Sequence, residues 1–194
     1  MSIKPIEAPE TKGAFDVVHQ TLSSRALASA FSLPKLSKAD PETLSIAMPH
    51  RVEFLALGDV RRDTIPKNEK ADFWRFLVLE NREPIAAATA ARGETGRFEF
   101  GGLDEGPFVS GTEKAIRQAE ALGKVSEGQF EAVLLIVPAL YSVALWLQDL
   151  SDQAANGHSG EADLLIAIPP SNPALDPGEP MPPASFLQAL RRAR

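Results

Sequence analysis

The order of elements in the sequence predicts an α+β fold: a mostly antiparallel sheet with two or three packed helices, compatible with two related halves of helix plus strands. Three observations carry this. Candidate strands come in consecutive runs, not singly between helices. Helical periodicity is confined to the stretches near residues 14, 110 and 184. The uncharged run Ala132 to Leu147, interrupted by Pro138, reads as two buried strands joined by a turn.

Residues 1–12 mix both signs of charge with two prolines and no apolar run, so they read as a mobile tail without a secretory segment. A helix is predicted from about Ala14 to Phe31, because Phe15, Val18, Leu22, Ala26 and Ala30 recur on one face. Leu33-Pro34 ends it, since the residue before proline avoids helical dihedrals. Asp40-Pro41-Glu42 pairs an N-cap with a proline at the first helical position, and Pro49 leaves room for a short helix only.

Strands are predicted from Arg51 to Leu57 and from Phe73 to Leu79. After the polar break Glu80 to Pro84, a strand returns over Ile85 to Arg92, followed by one at Arg97 to Phe100. Gly101 to Pro107 reads as a turn cluster. Ser110-Gly111-Thr112-Glu113 fits a capping box, which opens a helix running to about Leu122 with Gly123 as its stop. Further strands are predicted at Phe130 to Val137, Leu140 to Leu147 and Asp163 to Ile168. Seven prolines between Pro169 and Pro183 make that stretch an extended strap, and Ala184 to Arg192 closes as a short helix.

The domain organisation that follows is a tail at 1–12, one α+β domain at 13–168, and the strap with its helix at 169–194. Met48-Pro49 leading to Gly58-Asp59 resembles Val137-Pro138 leading to Gln148-Asp149, and each is followed by Ala-Asp, at Ala71-Asp72 and Ala162-Asp163. An internal duplication of about 14–92 and 110–168 would explain this, as would the chance likeness of apolar strands preceded by proline.

Composition excludes several classes of function. The chain of 194 residues has no cysteine, hence no disulfide, thiolate metal site or thiol nucleophile. A net charge of −6 disfavours nucleic-acid and anionic-membrane binding. As a helix, Ala132 to Leu147 would reach only about 24 Å, short of the ~30 Å of a bilayer core, and Pro138 would break it. The signatures of P-loop enzymes, zincins, α/β-hydrolases and EF-hands are absent. Glycines 101, 102, 106 and 111 lead toward a helix start, but Asp104 and Glu105 would repel an anion there.

Two sets of residues remain as candidates. His158 lies in a loop between Asp152 and Asp163, with Asp149 nearby in sequence, and a histidine with two carboxylates is the chemistry of a divalent-ion site or a general base. If the two halves are related, Asp59, Asp72, Asp149 and Asp163 would occupy matching places, and paired carboxylates can do acid–base work, although aspartates at strand ends usually cap turns. Trp74, Tyr141 and Trp146 are interface anchors if they reach the surface; core is the first reading for each.

Between Val125 and Leu190 there is no Lys or Arg, against eight acids that include Glu127, Glu131 and Glu161. Such an acidic C-terminal half suits a basic partner, with Arg51, Arg61, Arg62, Arg75 and Arg82 as the opposite patch on a second copy. The expected function is therefore a cytoplasmic, soluble protein-interaction module of accessory, adaptor or inhibitor type. It would act through a protein partner or self-association, without cofactor, metal, nucleic acid or membrane. The alternative is a metal-assisted hydrolase built on His158 and its neighbouring carboxylates.

Overall fold

The structure, a computed structural model, describes residues 9–23, 33–68, 70–151 and 157–192. Within them the fold is α+β, with four α-helices and eight mostly antiparallel strands. The described residues divide into two compact units: an amino unit within 6–51 and 71–113, and a carboxy unit within 52–70 and 114–194. The sequence halves considered above follow chain order, whereas these units interleave.

The amino unit opens with helix α1 (Pro9–Ser23), so residues 9–12 belong to a helix and not to a tail. The predicted end of that helix, at Phe31, lies outside the described residues. Four strands follow, β1 (Leu44–Phe54), β2 (Phe73–Glu80), β3 (Glu83–Arg92) and β4 (Phe98–Asp104), in the antiparallel order β4-β3-β2-β1. Ala14 and Val18 of α1 pack on Trp74, Phe76 and Val78 of β2 and on Ala86, Ala88 and Ala90 of β3. An alanine run is a weak strand former, but β3 is hydrogen-bonded on both sides, and such pairing overrides local preference. On the opposite face Leu77 and Ala87 meet Met48, Leu79 and Val109.

Several boundaries differ from those the sequence predicts, each for a local reason. Asp40 does cap, accepting the Glu42 amide at 3.0 Å, but only one 3-10 turn (Pro41–Thr43) follows. β1 starts at Leu44 and not at Arg51. It carries Pro49 within it because the register slips between Ala47 and His50, a bulge in which a proline's missing donor is tolerated. The β2–β3 turn is only Asn81-Arg82, both at positive φ (+50° and +74°) as a type I′ turn requires. β4 runs on through the glycines assigned to a turn, with a bulge at Gly102 (φ +142°).

Helix α2 (Pro107–Glu120) begins three residues ahead of the predicted capping box. Gly106, at φ +136°, makes the bend and Pro107 suits the first turn, so Ser110 lies inside the helix and its hydroxyl donates to Pro107 O. Glu105 holds the start of a different element, the 3-10 turn Leu36–Lys38: its carboxylate accepts the amides of Lys35 and Leu36 at 2.9 and 2.7 Å.

In the carboxy unit a short helix α3 (Gly123–Glu127) precedes β5 (Phe130–Val137), β6 (Ser142–Asp149), β7 (Leu164–Ile168) and the two-residue β8 (Pro180–Met181). They pair antiparallel in that order, and within the same unit Leu55 N donates to Ile136 O at 2.8 Å. Val133, Leu135, Ala144, Trp146, Leu165 and Ala167 pack against Phe186, Leu187 and Leu190 of helix α4 (Pro183–Arg192). Leu134, Leu145, Leu147, Ile166 and Ile168 are buried as well, and burial of both faces accounts for the uncharged run. No helix among the described residues is long and apolar enough to cross a membrane. The C-terminal arginines do more than face a helix dipole: Arg191 donates to Val60 O at 2.9 Å and also reaches Arg62 O and Asp63, tying α4 to the loop after β1.

Candidate functional site

Three places in the molecule concentrate chemistry. The first surrounds Asp163, at the head of β7, which is fully buried. Its Oδ1 accepts the Asp149 amide at 2.9 Å, and its Oδ2 accepts the indole of Trp146 at 3.0 Å and the Gly160 amide at 3.2 Å. Lys67 Nζ lies 3.1 Å from Oδ2 and 3.3 Å from Oδ1, and 5.9 Å from the centroid of the Trp146 ring. A carboxylate accepts about four hydrogen bonds, so this one is saturated. Its four donors come from three stretches of chain: the segment at Lys67, strand β6 with Trp146 and Asp149, and the segment at Gly160.

His158 stands beside this knot in a short backbone clip. Ser159 N donates to Ile65 O at 2.7 Å, Lys67 N donates to Gly157 O at 2.8 Å, and the Ser159 hydroxyl accepts the Ile65 amide at 2.9 Å. The His158 backbone bridges to Pro66. Asp149 turns its carboxylate to Ser151, whose amide and hydroxyl donate to it at 2.8 and 2.7 Å, the geometry of an Asx turn. Asp152 lies outside the described residues. Among the described residues, no three His, Asp or Glu side chains are grouped so as to hold a metal ion. Asp59 pairs with Arg62 at 3.0 Å, and Asp72 lies 3.8 Å from Arg92.

The second place is the tip between β5 and β6. Pro138–Leu140 forms a 3-10 turn, and Tyr141 follows in the left-handed region at φ 49°, ψ 41°, its amide donating to Pro138 O at 3.2 Å. Leu140 O accepts the Ser142 hydroxyl at 3.0 Å and the Asn172 amide group at 3.4 Å. With its backbone so held, the Tyr141 side chain is 88% exposed. The other two aromatic candidates, Trp74 and Trp146, are buried in the cores of their units. Of the acidic candidates, Glu161 is exposed and Glu131 is buried, and the side chain of Glu127 lies outside what the structure describes.

Folding redistributes the charge that is lopsided along the chain. Among the described residues the amino unit holds eight basic and twelve acidic residues, a net −4, and the carboxy unit nine and eleven, a net −2. Arg61, Arg62, Lys67 and Lys70 join the acid-rich C-terminal stretch. Arg51 is buried, and Arg75 is bound to Asp104, so neither is an open cation.

The third place was not singled out in the sequence. His50 on β1 is fully buried and pairs in register with Arg75 on β2, which pairs with Thr89 on β3. Arg75 makes a two-pronged ion pair with Asp104 at 2.7 and 2.6 Å. The His50 Nδ1 lies 2.7 Å from Met48 O. A carbonyl only accepts, so Nδ1 carries the proton and Nε2 the lone pair. That Nε2 is buried without a hydrogen-bond partner, as is Arg75 Nε. Burial, opposed by the Met48 bond and reinforced by the Arg75 charge, lowers the His50 pKa to about 4. A lone histidine in a strand carries no motif, which is why sequence reasoning passed over it.

No protein-family model matches this chain, and neither a characterised protein nor a solved structure matches it.

Proposed function

We propose that the protein is a soluble, cytoplasmic protein-interaction module, and that Tyr141 on the β5–β6 tip is its contact anchor. The observation that carries this is the combination of near-complete exposure with a held backbone. A large aromatic ring gains much on burial, and a tip already fixed in shape loses little entropy when it docks. Phe54, 55% exposed, and Leu57 flank Leu55, whose amide binds the end of β5 that leads into this tip, so further apolar surface lies at the same end of the unit. The charge redistribution argues for contact by shape and apolar area over attraction to a basic partner. The hydrolase alternative gains no support from the saturated carboxylate of Asp163.

The test is photo-crosslinking in cells, with benzoylphenylalanine at position 141 of the full chain and, as control, at position 161. A discrete adduct from position 141 alone, with a second copy or with another protein, is the expected result. No adduct, or the same pattern from both positions, would remove Tyr141 as the anchor.

A further inference from the structure

We propose that His50 is an acid-sensitive latch: its neutral ring holds the β1 bulge closed over a small apolar cluster, and its protonation releases that bulge. Met48, at φ +51°, is a non-glycine residue in the left-handed region and precedes a proline. Such backbone needs outside support. The ring supplies it from two residues further on, by donating Nδ1–H to Met48 O. Once the bulge is held, the Met48 side chain packs with Leu77, Leu79, Ala87 and Val109.

The surroundings of the ring accept only its neutral form. Protonation places a second N–H on Nε2, in a dry position with no acceptor. The charge that faces it from β2 is Arg75, of the same sign, and Arg75 is held in place by Asp104 of β4. β3 presents Thr89 in the same row, and Val109 of α2 packs on this face; neither is charged. Arg51 and Glu53 alternate to the other face of β1. Within the row that β1, β2 and β3 share, the residues beside His50 are Arg75 and Thr89, and neither is an anion, so a protonated His50 gains its solvation by leaving for water. In leaving, it breaks the bond to Met48 and uncovers Leu77, Ala87 and Val109.

The experiment follows amide hydrogen exchange and the ring nitrogen shifts of His50 in the full chain, from about pH 7 to about pH 3.5. The expected result is a neutral Nδ1–H tautomer in the closed form. Opening of residues 44–51 and 73–80, corrected for intrinsic exchange, should grow by about tenfold per pH unit between about pH 6 and pH 4. Residues 130–149 should keep their protection. Replacing His50→Gln, which can still donate to Met48 O but cannot charge, should abolish the pH dependence; if that variant does not fold, the wild-type titration decides alone. A ring that titrates near the ordinary histidine value with strands β1 and β2 still protected would overturn the latch. So would simultaneous loss of protection in both units.

Discussion

Asp163 and His50 are both fully buried and titratable, one in each unit, and their surroundings are opposite in kind. Asp163 has a cation, an indole and two backbone amides around its two oxygens, so its charge is matched where it sits. His50 has one backbone acceptor, one unpartnered nitrogen and a guanidinium across the strand. Burial alone therefore does not tell a structural group from a responsive one. A satisfied buried ion fastens the chain, whereas a half-satisfied neutral group makes the same depth of burial depend on pH.

The largest effect expected is at the satisfied site. Asp163→Ala strands Lys67 and leaves two amides and the Trp146 indole without their acceptor, which should destabilise the carboxy unit by about 3–5 kcal/mol, measured by urea denaturation. A loss near 1 kcal/mol would show that the knot is only peripheral.

Next comes acid at the other site. The His50 pKa is lowered to about 4 in the folded chain, against 6.5 when unfolded, so the unfolded state binds the proton first. Stability is full above about pH 6.5 and falls as the pH drops toward 4, by up to about 3 kcal/mol. Urea midpoints at neutral and acid pH, compared between wild type and His50→Gln, would isolate that slope; equal slopes would dissolve the contrast.

Two smaller effects calibrate it at places remote from any buried titratable group. Arg82 occupies the second left-handed position of a type I′ turn, so Arg82→Gly should raise stability by about 1 kcal/mol in the same denaturation experiment. Tyr141→Ala should change stability by less than about 0.5 kcal/mol, because most of the residue already meets water, while weakening co-purification of whichever protein the position-141 crosslink captures. A large stability loss would mean that Tyr141 belongs to the fold more than to a contact.

Much of the architecture was legible. Strand β5 has the bounds its residues predict, and β2, β7 and α4 agree to within a residue, because their apolar patterns and flanking turns are unambiguous. The misplacements cluster where glycine or proline allows two outcomes. Pro49 sits within a strand and not at its edge, and Gly101 and Gly102 extend β4 instead of ending it, since a bulge and a turn draw on the same residues. The capping-box letters at Ser110 lost to Gly106-Pro107, a stronger start three residues earlier.

The candidate sites were less legible for a different reason. The pairing of Ala71-Asp72 with Ala162-Asp163 in letters says nothing of surroundings, and these two aspartates ended with unlike partners. Periodicity, proline placement and the absence of lysine from the long apolar run were enough, residue by residue, to specify an α+β protein with a mostly antiparallel sheet. Which polar groups are matched, which are left half-bonded and which aromatic ring stays in water was decided by contacts between residues as far apart as Lys67 and Asp163, or His50 and Arg75. Local preference acts over a few residues, whereas the cost of burying a charge depends on everything brought around it.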